Sequence, residues 1–385
     1  TPIKSSAASD VYKRQGYTQI RKFYYLKRGT FIMSISKKLF GTLKDGTAVD
    51  LYTITNKSGA SVSLQTLGGG IQAINVPDRN GCLADVVLGF DNPEQYTDPD
   101  LGYQGLLVGR VANRIRDAKF SIDGITYNTP ANQGTWTLHG GGRFSFNVWN
   151  VAETTENSVT FSRFSPDMED GFPGNFTMAV KYTFTDDNIL RLEYTVKADK
   201  KTVACPTNHA YFNLSGNDDE TVENHYLKIN ADYFTETDDN QLPTGKLGEV
   251  KGSMLDFTKP HKIGDRIDEP HRAIIDGIGY DNNYCLRNKL GEFAEAAVLY
   301  HEKSGRKMTV YTDLPGVQLY CGGWLKKEKS DYNKGKNGNV SFRRGAALET
   351  QFYPDSVNHP DEFPFAYVEP NKEFKTVTEF RFTVE

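Results

Sequence analysis

A period of two running along much of the chain constrains the fold more than anything else. In "TMAVKYTFTDDNILRLEYTVKA" apolar and aromatic side chains recur at Met178, Val180, Tyr182 and Phe184. They resume at Leu190, Leu192, Tyr194 and Val196 after a turn at Asp186, Asp187 and Asn188. Successive side chains of an extended chain point to opposite faces, so each run has one apolar face and the two runs predict a β-hairpin. The stretch "AVLYHEKSGRKMTVYTDLPGVQLYCGGWL" repeats the pattern, with turns at 303–305 and 313–316, and reads as a meander. "GEFAEAAVLYH" contains good helix formers, yet its place just before a hairpin makes 296–300 a strand. Helical periodicity is otherwise nearly absent. Thirty-five glycines and 12% aromatic residues fit many tight turns between aromatic-rich sheets. The expectation is an all-β chain, one large antiparallel β-sandwich in a single domain.

With 385 residues, 38% of them hydrophobic and 24% charged, the chain is long and apolar enough to bury a large core. A net charge of -4 and a pI near 6.0 supply no electrostatic reason to bind nucleic acid or an anionic membrane. No segment approaches the roughly 20 apolar residues that span a bilayer. Cys82, Cys205, Cys285 and Cys321 are far apart and form no C-x-x-C pair, so neither a disulfide framework nor a zinc site is expected. Three of them sit in strand-like contexts, as buried thiols of a reducing compartment, which favours the cytoplasm. Residues 1–32 are basic, lack a signal-like apolar run and precede Met33, so they read as a non-native or disordered extension before a domain at 33–385.

Toward the C-terminus, "LETQFYPDSVNHP" alternates Leu348, Thr350 and Phe352 with Glu349, Gln351 and Tyr353, leaving one face polar and acidic. Among seven histidines, His225, His261, His271 and His301 lie in polar, loop-like sequence and are expected at the surface, and His359 is expected in a turn before Pro360. Two others stand out. His139 precedes three glycines in "TWTLHGGG", a pattern that lets a ligand approach the backbone. His209 lies in "CPTNHAYFNLSG", where amides and aromatics suit the polar edges and apolar faces of a neutral sugar. The glycines of "LGGGIQAIN" lack dinucleotide-binding spacing, and no P-loop, H-E-x-x-H or G-x-S-x-G pattern is present. What remains is a site of His, Glu, Asp, Arg and amides, without metal or cofactor.

"GRVANRI", "TLHGG", "NHAYFNLSG", "YDNNYCL", "PGVQLYCG" and "LETQFYPDSVNHP", in this order, resemble the aldose 1-epimerases, the galactose mutarotases, from about Lys44 to the end. The resemblance implies a galactose mutarotase-like β-supersandwich that interconverts the anomers of free aldoses, with no cofactor and a monosaccharide as its partner, working as a monomer or homodimer. It makes Glu349 the catalytic base and His209 the catalytic acid. Asn113, Arg114, His139, Asp281 and Gln318 become the sugar-binding set, with Tyr211 lining the same pocket. Asn282, where the family often has His, and Trp136, where a smaller polar residue is common, depart from its pattern and bear on substrate preference. The alternatives are a glycoside hydrolase using Asp281 with Glu349, a hexose-phosphate epimerase, and a sugar-binding module that has lost its acid or base.

Overall fold

The computed structural model describes residues 32–216, 220–275 and 278–385. The reading of residues 1–32 as an extension falls, apart from Ile32, outside them. Two antiparallel sheets carry the architecture. A nine-stranded sheet runs in the order Asn150–Thr154, Ser158–Ser165, Phe176–Phe184, Ile189–Ala198, Phe374–Val384, Arg306–Thr312, Ala294–His301, Tyr226–Ile229 and His261–Lys262. A six-stranded sheet runs Tyr211–Phe212, Ala346–Gln351, Gly316–Tyr320, Asp281–Leu286, Ala231–Thr237 and Pro243–Glu249. A five-stranded sheet spans 34–85.

The alternation in the sequence reappears as alternating burial. Phe176, Met178, Val180, Tyr182 and Phe184 all face the core, as do Leu190, Leu192, Tyr194 and Val196 across the hairpin. The two large sheets share that core, where Phe212 meets Phe380 and the Thr350 and Thr378 hydroxyls bond at 2.6 Å. Burying each of these aliphatic or aromatic side chains contributes about 1.5–3 kcal/mol before the entropic cost of ordering the chain. The strand read at 296–300 is present as Ala294–His301.

The meander does not extend as far as its sequence pattern. Arg306–Thr312 belongs to the nine-stranded sheet, but Gly316–Tyr320 belongs to the six-stranded one. The Asp313 carboxylate accepts bonds from Thr376 and from the backbone of Val377, which anchors the chain where it leaves the first sheet. A turn signature marks a change of direction, and here the change is between layers.

Within the six-stranded sheet, Asp281–Leu286, Gly316–Tyr320 and Ala346–Gln351 are buried on both faces. Tyr284, Leu286, Val317, Leu319 and Leu348 join the core. On the opposite face register aligns Asn283 with Gln318 and Gln318 with Glu349, so a row of polar side chains lies across three strands. That buried polar face is where the site lies.

Candidate active site

A cavity of about 390 Å³ opens over this face, lined among others by Tyr103, Asn113, Arg114, His139, His209, Tyr211, Asp281, Tyr320, Trp324 and Glu349. Seven of the eight residues singled out from the sequence therefore line one cavity, and the eighth, Gln318, lies beside Glu349 on the same face of the sheet without lining it. They come from separate elements. Glu349 and Asp281 project from the six-stranded sheet, Arg114 from the strand Arg114–Ile115, and His139 from the turn after Thr137–Leu138, which pairs with it. His209 sits between Thr207–Asn208 and Tyr211–Phe212, held by backbone bonds to Leu106 and Gly105.

His209 Nε2 lies 3.5 Å from Glu349 Oε1, and both side chains are almost wholly buried. Tyr103 stacks at 6.1 Å on one side of the His209 ring, and Tyr211 lies tilted against it at 4.9 Å. Burial lowers His209 to about 4. Burial first, and then the charge of Asp281, raises Glu349 well above the usual carboxylate range, with Arg114 opposing. The two shifts favour a neutral imidazole beside a neutral acid, the reverse of what reference values would assign. The pair still holds one transferable proton in either arrangement.

His139 is also kept neutral, chiefly by burial and then by His209 and Arg114. The backbone N–H of Asn113 donates to its Nδ1 at 3.2 Å, so the imidazole proton resides on Nε2. This bears on metal binding, because His139, His209 and Glu349 place one ligand atom each within 4.8 Å of one another. A metal-bound imidazole donates from its outer nitrogen, whereas His139 accepts there, so the trio is arranged for hydrogen bonding to hydroxyls rather than for a cation.

Asp281 is gripped from several sides. Gln318 Nε2 donates to its Oδ1 at 2.7 Å, Gln241 Nε2 approaches its Oδ2 at 3.4 Å, and Arg114 Nη2 lies 3.7 Å from Oδ2. Gln318 thus orients a cavity residue without lining the cavity itself.

Other expectations need correction. The glycine after His139 serves chain packing rather than ligand approach, since a Cβ on Gly140 would come within 2.3 Å of the Gly109 carbonyl oxygen. Asn282 faces away from the cavity and donates to the backbone of Ala273, and Trp136 donates to Gln133; neither lines the cavity. His225 and His301 are buried, not superficial: His225 Nε2 accepts from Leu214 N at 2.9 Å and stacks on His301 at 4.7 Å. His301 Nδ1 bonds the Ser304 hydroxyl three residues on, whereas the partner of His225 is a backbone N–H eleven residues away, so burial rests on partners that the loop-like sequence did not reveal. The remaining arginine of "GRVANRI", Arg110, is buried structure, donating to the carbonyls of Ser165, Pro166, Phe172, Pro173 and Gly174.

Tyr103, Tyr320 and Trp324 were not foreseen. Tyr320 was legible, being two residues beyond Gln318 on the same strand and hence on the same face. Tyr103 occupies a left-handed loop position at φ 55, which no periodicity announces.

A family model for aldose 1-epimerase matches residues 50–381. Galactose mutarotase from Rattus norvegicus is 37% identical over 92% of this chain and 100% of its own length. Aldose 1-epimerase from Escherichia coli K12 is 33% identical over 89% of this chain and 97% of that protein. Among solved structures, the GalM/aldose epimerase homologue from C. elegans superposes with a TM-score of 0.77 at 31% identity, covering 87% of this chain and 98% of that one. Galactose 1-epimerase from Lactobacillus acidophilus reaches 0.78 at 24% identity, covering 92% and 99%, which shows the shared fold. Sequence and fold agree over nearly the whole described chain, and it belongs to the aldose 1-epimerase family of isomerases.

Proposed function

We propose that the cavity binds a free aldose such as galactose or glucose, and that Glu349 and His209 interconvert its α and β anomers. The observation that carries this reading is the buried carboxylate–imidazole pair, 3.5 Å apart, at a cavity walled by tyrosines and hydrogen-bonding side chains. Opening the ring requires loss of the proton on the C1 hydroxyl and gain of one on the ring oxygen. Glu349 takes the first and His209 supplies the second. Rotation about C1–C2 presents the other aldehyde face, and closure returns both protons. A sugar hydroxyl donating to Glu349 and a ring oxygen accepting from His209 favour the charge-separated form that burial alone disfavours, with no change in proton count. Asn113, Arg114, His139 and Asp281 position the remaining hydroxyls, Tyr211 packs against the sugar's C–H face, and Gln318 orients Asp281.

The site is assembled within one chain, so the chemistry requires no second subunit. Three buried free thiols fit a reducing cytoplasm, and no helix among the described residues is long and apolar enough to cross a membrane.

Polarimetry tests the reading. Without added cofactor, the protein should speed the decay of optical rotation of fresh α-D-galactose to the same endpoint as the uncatalysed reaction, because a catalyst lowers the barrier in both directions. Methyl galactosides have no C1 hydroxyl proton and should be inert. Release of free galactose from them would replace this reading with glycoside hydrolysis.

A further inference from the structure

Gln241, in the turn joining Ala231–Thr237 to Pro243–Glu249, lies outside the cavity lining yet reaches two residues that form it. Its Oε1 accepts from Arg114 Nη2 at 2.9 Å, and its Nε2 approaches Asp281 Oδ2 at 3.4 Å. Arg114 and Asp281 themselves are separated by 3.7 Å, with no direct hydrogen bond, although both side chains are nearly buried and opposite in charge. Left alone, a guanidinium and a carboxylate in such surroundings close into a short, paired contact. We propose that Gln241 is a positioning residue that spaces Arg114 from Asp281 and so keeps both available to substrate hydroxyls.

The turn is built to hold that side chain in place. Gln241 adopts the left-handed conformation at φ 59, an uncommon position for a residue with a side chain, of the kind that surrounding structure must enforce. Asp238 enforces it: its carboxylate accepts from the backbone of Asn240 and Leu242, and its carbonyl accepts from Gln241 N. Arg116 ties the turn to the segment carrying Arg114, donating to Asp238 at 2.8 Å and to the Pro243 carbonyl at 2.9 Å. The amide is also suited chemically. It offers one acceptor to the cation and one donor to the anion, and being neutral it adds no charge that would draw either away from a sugar.

The inference rests on the sugar-binding reading of this cavity, and the test separates the two. Galactose affinity is measured by calorimetry, and KM and kcat by polarimetry, for wild type, Gln241→Ala and the isosteric Gln241→Glu. With both bonds removed in Gln241→Ala, Kd and KM should rise roughly tenfold, the scale of a hydrogen bond to a charged group, while kcat changes far less. Gln241→Glu keeps the acceptor for Arg114 but sets a second carboxylate against Asp281, and should bind more weakly despite equal size. It also serves where the alanine variant does not fold. Wild-type affinity in Gln241→Ala or Gln241→Glu, or loss confined to kcat, overturns the positioning role. A wild type that binds galactose without speeding its mutarotation overturns the catalytic reading and leaves the affinity comparison to decide Gln241; a wild type that does neither overturns both.

Discussion

Two pairs of histidines are buried in this protein, and comparing them shows what sets the pair beside the cavity apart from the other. His139 and His209 have ring centroids 5.3 Å apart, and His225 and His301 4.7 Å. Burial holds His209 at about 4 and His225 at about 3. By the histidines alone the two clusters are hard to tell apart. Their carboxylates differ. Glu220, beside His301, is partly exposed, and hydrogen bonding to Lys303 lowers it below the usual range. Glu349, beside His209, is buried without a lysine and is raised. In the second cluster His301 Nδ1 meets the Ser304 hydroxyl, whereas the first opens on a cavity. A depressed histidine therefore records burial; what is particular to the first cluster is a raised carboxylic acid beside a depressed imidazole at a cavity, the pairing that the proposed proton exchange uses.

The largest effect expected from this contrast is at Glu349. Glu349→Gln preserves shape and should retain galactose affinity while kcat falls by about 10²- to 10⁴-fold, the usual reach of general acid–base catalysis. Polarimetry with calorimetry reads both. Near-normal turnover in the folded variant would end its role.

Next is a direct exchange between the clusters. His209→Gln should lose about 10²-fold or more in kcat. His225→Phe should leave the kcat of folded protein near wild type and instead cost about 1–3 kcal/mol in denaturant unfolding, because the Leu214 N–H loses its acceptor inside the protein. If His225→Phe abolished turnover while remaining stable, the distinction drawn between the pairs would fail.

The smallest effect is in how stability depends on pH, and its sign differs between acid and imidazole. Glu349 keeps its proton well above the ordinary carboxylate value of 4.5, whereas the unfolded chain loses it near there. Over that window the native state binds more protons, so this group's contribution declines as pH rises. Glu349→Gln should therefore gain stability relative to wild type as pH rises above about 4.5. His209 works the other way. Its native value of about 4 lies below the ordinary imidazole value of 6.5, so the unfolded chain binds the extra proton between them. Its contribution is present above 6.5 and lost as pH falls toward 4, and His209→Gln should flatten that acid-side slope. Chemical denaturation across this range reads both signs.

Much of this was legible before folding. Phe176–Phe184 and Ile189–Ala198 are each buried on one face, so alternation in sequence predicts their hairpin and core side chains directly. Ala346–Gln351 is harder. Both of its faces are buried, and a polar row on a strand reads equally well as a solvated face or as the floor of a cavity. What pointed to Glu349, His209 and the residues around them was a set of ordered motifs, not periodicity. Gln241 carried no signal, because its role depends on a turn whose neighbours in space, Arg114 and Asp281, lie far away in the chain.

By itself the sequence determined the strands, most of their turns, the family, and the residue types available for proton exchange, since each depends on local alternation, turn chemistry or contiguous motifs. Only the tertiary structure decided which polar side chains are buried together and in what protonation state. Desolvation and charge–charge coupling depend on what surrounds a group in three dimensions: they raise Glu349, lower His209, and leave a like pair, His225 and His301, as packing.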